Sequence, residues 1–324
     1  MSVLLVVVIA IALIFDFTNG FHDTANAVAT SVTTRALAPR TAVALAAAMN
    51  FLGALLTTGV ARTIGEHLVR VEAVTGRLVL SALLGAIAWN LVTWRLGLPS
   101  SSTYALLGGL LGATWVIAGT GAIRWDELGT RVAVPALISP VAGFLAAALL
   151  MLAVYWIFRN QRPGPLNRGF RVAQIASGSL VALAHGANDA QKTMGVIVLA
   201  LVAEGHTDSF AIPAWVILSA ATAIALGTYA GGWRIMRTLG QRVIPLEPAQ
   251  GFAAQTSAAG VLLATAGVGL PISTTHVISG CIVGAGSARR LTAVRWGVAG
   301  DIAVAGLLTV PASAALAALA ASIA

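Results

Sequence analysis

Two polar segments, each with an aspartate three residues after a glycine, interrupt otherwise apolar sequence. The first reads DFTNGFHDTAN over 16–26, and the second reads HGANDAQK over 185–192. Aligning the two glycines pairs Asp23 with Asp189. Carboxylates in apolar surroundings are costly unless they hold a proton, a cation or an ionised side chain. One such aspartate is as often a helix cap, but two at equivalent positions favour a shared ion-binding function.

The same alignment places a lysine in the second segment where the first has an amide. Lys192 is the only lysine among 19 basic residues, and its equivalent is Asn26. We therefore expect Asp23, Asp189 and Lys192 to couple the protein's activity to an ion. Asp23 and Asp189 would also be the ligands of a metal or sodium ion, if one binds there, because carboxylate oxygens suit such cations.

A second pair of related segments carries hydroxyl-rich turns. They read GLPSSSTYALLGGLLGA over 97–113 and GLPISTTHVISGCIVGA over 269–285, with eight of seventeen positions identical. We expect a short helix to begin just after each proline turn, with Ser or Thr as its cap. The free backbone N–H groups of such a helix start also attract an anion, and the two interpretations are compatible. The residues predicted to bind a substrate anion are Asn26, Ser101, Ser102, Thr103, Asn188, Ser273, Thr274 and Thr275.

The composition excludes a water-soluble globule. The chain has 324 residues, of which 58% are hydrophobic and 9% charged, with a mean hydropathy of +0.90, whereas soluble domains carry about 25% charged residues. We predict an all-α polytopic membrane protein with about 10–12 membrane segments, some broken or re-entrant, in a lipid bilayer. Polar breaks repeated within membrane-length sequence indicate a transporter binding site. The loops are short and no GxxxxGK[ST] motif occurs, so we do not expect this chain alone to use ATP; transport would be driven by an ion gradient or run downhill.

The repeated motifs divide the chain into halves, 1–158 and 170–324, joined by a basic linker at 159–169. The net charge of +8 comes almost entirely from arginines between apolar segments, so it indicates topology rather than nucleic-acid binding. By the positive-inside rule the arginine-rich linker is cytoplasmic. No small-residue cleavage site follows the N-terminal apolar run, so we predict no cleaved leader. The single cysteine, Cys281, excludes an intramolecular disulfide and is interpreted as a packing residue.

Several other ionisable or amide side chains are weaker candidates. Histidines in or beside the motifs either shuttle protons or pack, and acidic groups elsewhere either couple ions or cap helix ends. An amide in a span either reaches the site or bonds another helix. These candidates are Asp16, His22, Asn90, His185, Glu247, Gln255, His276 and Asp301.

The motifs resemble those of the inorganic phosphate transporter (PiT) family. GxxDxAN at 20–26, GAND at 186–189 and the GLPxSxT turns at 97–103 and 269–275 occur in the family's order and cover essentially the whole chain. NGFHDTANAVAT and HGANDAQKTMG are especially similar to the bacterial low-affinity Pit-type carriers. The resemblance implies two inverted-topology repeats meeting at a central site, commonly in a homodimer, in the bacterial inner membrane. It further implies a non-enzymatic carrier, with no bound cofactor, that imports phosphate by ion-coupled symport with alternating access.

Departures from the family pattern bear on the coupling ion. Many members have Ala-Asn where this chain has Gln191 and Lys192, and sodium-coupled animal relatives are expected to have glutamates near Asn50 and Gln255. A fixed cation at Lys192 favours protons over sodium, with transport of phosphate as a metal complex left open. The alternative is a sulfate permease of the same family; an intramembrane aspartyl protease or an ion channel is less favoured.

Overall fold

The computed structural model describes residues 2–207 and 209–323, and this part of the chain is nearly all helical. The only strand-like pairing there is an isolated bridge between Val69 and Ile123. A short π-helical segment lies at Gly129–Ala133. The helices are α1 Val3–Thr33, α2 Pro39–Ala54, α3 Gly59–Glu66, α4 Gly76–Leu96, α5 Ser102–Ala118, α6 Trp125–Leu128, α7 Val134–Ile157, α8 Pro163–Ala203, α9 Ala214–Ala230, α10 Trp233–Arg237, α11 Pro248–Gly267, α12 Thr274–Ser287 and α13 Trp296–Ile323.

The composition-based prediction of a polytopic helical membrane protein is confirmed. Within the described residues, α1, α4, α13 and the 33-residue run Trp125–Ile157 are long and apolar enough to span a membrane. Two bent pairs, α2 with α3 and α9 with the segment Trp233–Arg242, also pass when each is taken as one span, and they bend by 67° and 58°. Large apolar side chains and several tryptophans are exposed on the outer surface, as a lipid environment allows.

The expected helix breaks at the two aspartate motifs are absent. The polar segments were interpreted above as breaks within membrane-length sequence, but α1 and the 41-residue α8 run through them without interruption. Neither motif contains proline, the residue that removes a backbone donor and forces a break. The polar side chains form hydrogen bonds to facing helices, so the helix backbone stays continuous. The breaks lie instead in the bent pairs and at the Gly-Leu-Pro turns.

The hydroxyl turns do start short helices, as predicted. Gly97 and Gly269 adopt left-handed φ values of 67° and 72° after α4 and α11, which explains why glycine stands there. Ser101 caps α5 by accepting a hydrogen bond from the Tyr104 N–H, and Ser273 caps α12 by accepting one from the His276 N–H. Each turn therefore aims a helix N-terminus in a fixed direction.

The halves pack on each other reciprocally. Helix α1 packs on α9 while α8 packs on α2, and α5 packs on α13 while α12 packs on α7. Motif glycines make the closest crossings possible: a Cβ on Gly20 would collide with the α9 backbone, and one on Gly186 would collide with the α2 backbone. Helix α8 begins at Pro163, inside the segment predicted as a linker, so it emerges directly from the join between the halves. These crossings bring the two aspartate motifs together.

Candidate functional site

Helices α1 and α8 face each other with polar side chains at helical spacing. On α1 these recur every three or four residues at Asn19, Asp23 and Asn26, and on α8 at Asp189 and Lys192. Such spacing places them on one face of each helix. The two helices are in contact, so the polar faces form one buried cluster between the halves.

The Ser102 hydroxyl lies at the centre of this cluster, at the first position of α5. Its Oγ is 3.1 Å from Asp23 Oδ2 and 3.4 Å from Asp189 Oδ2, and it accepts a hydrogen bond of 3.2 Å from Lys192 Nζ. One hydroxyl therefore joins both carboxylates, the lysine and the start of α5. The structure brings together four of the residues predicted from the sequence, although they lie far apart along the chain.

Asp23 is held mainly by a neighbouring imidazole. His22 Nδ1 is 2.6 Å from Asp23 Oδ1, and its Nε2 is 3.1 Å from Thr93 Oγ1 and 3.3 Å from Ser100 Oγ. The imidazole thus links the carboxylate to hydroxyls of α4 and of the turn before α5. A neutral or a protonated imidazole can occupy this position, because the hydroxyls either accept or donate.

Asp189 is held by the side chain of a lysine. Lys192 Nζ is 2.6 Å from Asp189 Oδ2, and His185 Nε2 is 3.4 Å from the same oxygen. His185 also lies 3.9 Å from Asp23 Oδ2, while its Nδ1 is 3.1 Å from Asn50 Oδ1. His185 therefore lies between the carboxylates, a more central position than the sequence predicted for it.

The sequence analysis did not select Asn19, yet it lies in the cluster. With its amide nitrogen directed inward, it is 2.6 Å from Ser102 Oγ, 3.2 Å from Asp23 Oδ2 and 3.3 Å from Asp189 Oδ2. Asn19 precedes Asp23 by four residues, as His185 precedes Asp189. A polar residue one helical turn before each motif aspartate was therefore a usable signal for the contacts of Asn19 and His185 with the carboxylates.

The second hydroxyl turn meets the cluster through a different contact. Asn26 Nδ2 donates a 2.9 Å hydrogen bond to Thr275 Oγ1, while Asn26 Oδ1 has no partner among the described residues. The Thr103 hydroxyl donates to the Ile272 carbonyl at 3.2 Å, which ties the two turns together. The starts of α5 and α12 therefore meet beside the paired aspartates, as an anion site between two helix N-termini requires.

The remaining predicted site residues differ in their placement. Asn188 is buried, but its amide nitrogen donates to the carbonyls of Ala184 and Leu262 rather than to the cluster. Thr274 is buried and forms no hydrogen bond to either motif aspartate in the described part of the chain. Ser101 and Ser273 use their side chains as the helix caps described above. Their contact with a substrate remains a prediction.

Two weaker acidic candidates lie away from the cluster. Glu247 caps α11 in a reciprocal capping box and pairs with Arg289 at the surface, which is the helix-end alternative. Asp301 is exposed on α13.

The amide and packing candidates lie in separate environments. Gln255 bonds Ser31 and Ser177, and both amide atoms of Asn90 are buried without a partner in the described residues. His276 packs on Tyr104 with the ring centroids 5.2 Å apart. Cys281 is buried, as expected of a packing residue.

The cluster is closed to solvent and rich in cation ligands. All the predicted site side chains are at most 2% exposed. Donor atoms of Asp23, His185 and Asp189 lie within 4.8 Å of one another, close enough to hold one cation. A separate cavity of about 740 Å³ is lined by Tyr104, His276 and mostly apolar side chains. The arrangement can therefore hold a proton or a metal ion between its carboxylates and imidazole.

A buried ionic cluster between two packed halves of a multi-pass helical protein is typical of a membrane transporter for small ions. The family model described as "Phosphate transporter family" matches residues 19–317. The chain belongs to this family, which consists of transporters rather than enzymes. It is accordingly a multi-pass protein of the plasma membrane.

Named relatives cover most of the chain. A "Probable low-affinity inorganic phosphate transporter" of Rhizobium meliloti is 49% identical and covers 98% of this chain and 95% of its own length. Relatives of the same name from Mycobacterium bovis and Bacillus subtilis are 50% and 42% identical over 95% and 98% of this chain, and over 74% and 96% of their own lengths. A solved structure titled "The sodium-dependent phosphate transporter" matches with a TM-score of 0.88 and 26% identity, over 99% of both chains.

Proposed function

We propose that this protein imports inorganic phosphate as an ion-coupled secondary transporter. Membership of the phosphate transporter family and the names of its relatives support the substrate. The structural observation that carries the proposal is the meeting of Ser102, at the start of α5, with both motif aspartates and Lys192. An anion bound here would be held by helix N-termini, hydroxyls and the ammonium.

The chemistry of the cluster favours phosphate over sulfate. Phosphate keeps a proton at neutral pH and can donate a hydrogen bond to a carboxylate, whereas sulfate cannot. Asp189 Oδ1 is a buried acceptor without a partner among the described residues, and Asn26 Oδ1 is another. These acceptors would discriminate against an anion that has no donor, because a buried lone pair left unpaired is costly.

Charge balance supports proton coupling. A doubly charged phosphate beside two ionised aspartates is repelled by each, by about 7 kcal/mol at about 5 Å and an effective dielectric of about 20. Lys192 offsets part of this repulsion, and protonation of an aspartate would offset more, so that proton and phosphate bind together. The solved relative is titled as sodium-dependent, so sodium is the main alternative. A divalent metal carried with phosphate would balance the charge equally.

The reciprocal helix packing supports a transport cycle of the alternating-access type. Helices α5 and α12 each pack on the closing helix of the other half, α13 and α7 respectively. Two halves of inverted topology that rock about the cluster would open it to each side of the membrane in turn. We further propose a homodimer and a cytoplasmic linker, the latter because Arg159, Arg162, Arg168 and Arg171 crowd it.

Radiolabelled phosphate uptake into proteoliposomes tests this function. Saturable accumulation driven by an inward proton gradient, resistant to excess sulfate and lost in Asp23→Asn, is the expected result. Phosphate accumulation only with a sodium gradient, or only with added Mg²⁺, would mean that sodium or the metal, rather than the proton, is the coupling ion. Uptake of labelled sulfate without phosphate uptake would establish the sulfate permease instead.

A further inference from the structure

A buried group of hydroxyl and amide side chains lies on one side of the ionic cluster and takes no part in it. One member, Ser177, precedes His185 by eight residues on α8, or about 12 Å along the axis, and so lies towards the end where α8 begins. Because α8 begins at the join between the halves, we call this group the linker-side plug; it consists of Ser31, Thr34, Gln174, Ser177 and Gln255. All five side chains are at most 5% exposed.

Hydrogen bonds of the linker-side plug join three helices. Gln255 on α11 donates a 2.8 Å hydrogen bond to Ser31 Oγ on α1 and accepts one of 2.9 Å from Ser177 Oγ on α8. Gln174, nearer the start of α8, accepts a hydrogen bond from the Thr34 hydroxyl. Its amide nitrogen donates at 2.7 Å to the backbone carbonyl of the first residue of α11. In this state the plug therefore closes the space between α1, α8 and α11.

The linker-side plug lies between the ionic cluster and one end of the protein. Helices α1 and α8 run antiparallel, and Ser31 near the end of α1 lies beside Gly178 in the first half of α8. Helix α11 starts at this end and α12 returns to it, since a Cβ on Gly286 would collide with the side chain of Ile244, just before α11. A substrate that leaves the cluster towards this end passes between these helices only if the plug separates.

The equivalent group of the other half is aliphatic. The alignment of the aspartate motifs relates α1 to α8, and the alignment of the hydroxyl turns relates α4 to α11. The equivalents of the five residues, in the order given above, form the opposite plug, which consists of Ile197, Ala200, Val8, Ile11 and Leu83. All five belong to one buried apolar cluster or pack against it. The two ends of the site are therefore closed by contacts of different chemistry.

The two plugs differ in what their opening exposes to water. Hydroxyls and amides exchange hydrogen bonds with one another for hydrogen bonds with water, and the net change for each bond is small. Separated aliphatic side chains place apolar surface in water, at a cost that grows with the area. Opening should therefore be easier on the linker side. The amide of Gln255, once released, also offers hydrogen-bond donors to a passing anion, whereas Leu83 offers none.

We propose that the linker-side plug is the gate through which phosphate leaves the site, and that without phosphate it opens more readily than the opposite plug. Ser31, Ser177 and Gln255 bind one another while the gate is closed and separate when it opens. The unloaded carrier then rests open mainly towards the linker, the side proposed to be cytoplasmic. The inference rests on the proposed transport by alternating access.

A disulfide across the linker-side plug tests the gate. A Cβ on Gly178 would lie 3.0 Å from Ser31 Oγ, so Ser31→Cys with Gly178→Cys brings two thiols close enough to form a disulfide. The background is Cys281→Ala, because Cys281 is the only cysteine of the chain. In proteoliposomes the oxidised variant should lose both uptake and exchange of labelled phosphate, and reduction should restore them. The reduced form of the same protein is the matched control.

Thiol labelling compares the two plugs without a transport assay. In the Cys281→Ala background, Ser31→Cys and Ile197→Cys each place one thiol at equivalent positions, where the native side chains are 2% and 1% exposed. The reagent is a charged maleimide, which reaches both ends of the protein in detergent solution. Without phosphate we expect Ser31→Cys to react at least about tenfold faster than Ile197→Cys.

The outcomes separate the gate from the proposed function. Phosphate uptake that persists after complete crosslinking would overturn the gate, and so would a loss that reduction does not restore, because the substitutions would then have damaged the site. Equal labelling rates, or faster labelling of Ile197→Cys, would overturn the preference for the linker side. Unaltered protein that transports no phosphate would overturn the proposed function instead.

Discussion

Helices α1 and α8 carry an aspartate at equivalent positions, yet the groups that hold the two carboxylates differ. Asp23 is paired with an imidazole, His22, whereas Asp189 is paired with an ammonium, Lys192. His22 is a neighbour in sequence that also bonds hydroxyls of other elements, whereas Lys192 lies one helical turn after its aspartate on α8. The two halves therefore share the helix geometry and the carboxylates, but they differ in the side chains that compensate the carboxylate charges.

The hydroxyl turns show the same asymmetry. Ser102 at the start of α5 touches both aspartates and the lysine, but its equivalent on α12, Thr274, touches neither aspartate in the described residues. The α12 turn acts through Thr275, which accepts a hydrogen bond from the neutral Asn26. The first half thus supplies the hydroxyl for the charged groups, and the second half supplies the one for the amide.

Lys192→Asn gives α8 the residue found at the equivalent position of α1, and it should have the largest effect. Removing one partner of a buried ion pair costs about 3–5 kcal/mol, because the other charge is left buried. We expect a lower unfolding temperature in sodium-free detergent solution and partial recovery when sodium is added. Thermal unfolding in NaCl and in choline chloride measures both.

The double variant Asp189→Asn with Lys192→Asn is the matched control for this prediction. It removes both charges, so its unfolding temperature should lie above that of Lys192→Asn and should not respond to sodium. If Lys192→Asn alone is as stable as the unaltered protein without sodium, the ammonium does not compensate Asp189.

Removing the equivalent hydroxyls of the two turns should affect phosphate uptake unequally. Ser102→Ala removes a hydroxyl bonded to charged groups, and we expect phosphate uptake at low substrate concentration to fall about 10- to 100-fold. Thr274→Val removes the equivalent hydroxyl without changing the shape, and uptake should stay within about twofold. Initial rates in proteoliposomes, at matched protein content, make the comparison. Equal losses would contradict the asymmetry.

The sequence could predict the paired aspartates and the helix starts because both follow from the repeat. Gly-Leu-Pro followed by hydroxyl residues predicts where α5 and α12 begin, from local chemistry alone. The sequence could not predict that Ser102 would contact Asp23. The two residues are 79 positions apart, and their contact depends on how α1 and α5 pack in the folded protein. The position of His185 between the carboxylates also depends on tertiary packing, so the sequence could not predict it. Continuous helices through the motifs were missed because polar residues were interpreted as breaks without a proline to cause them.

A smaller effect should separate the neutral contacts of the two turns. Thr275→Val removes the acceptor for Asn26 Nδ2, which frees the amide to rotate, and we expect the KM for phosphate to rise about 2- to 10-fold. Thr103→Val removes a hydroxyl whose one hydrogen bond within the described part of the chain is to the Ile272 carbonyl, so it should change stability rather than KM. Uptake at varied phosphate concentration distinguishes them. A larger KM change in Thr103→Val would reverse the assignment.

The smallest expected effect on transport concerns Gln191, the residue beside Lys192. Its side-chain oxygen accepts hydrogen bonds from the Val60 and Ala61 N–H groups at 2.8 and 3.2 Å, so it caps α3, where Thr58 makes no side-chain cap. Gln191→Ala should lower the stability by about 1–3 kcal/mol, because buried donors lose their acceptor. KM and the response to a proton gradient should stay unchanged, since none of the hydrogen bonds that Gln191 forms in the described residues reaches the cluster. A shift in coupling without a loss of unfolding temperature would mean that Gln191 belongs with Lys192 to the ionic site.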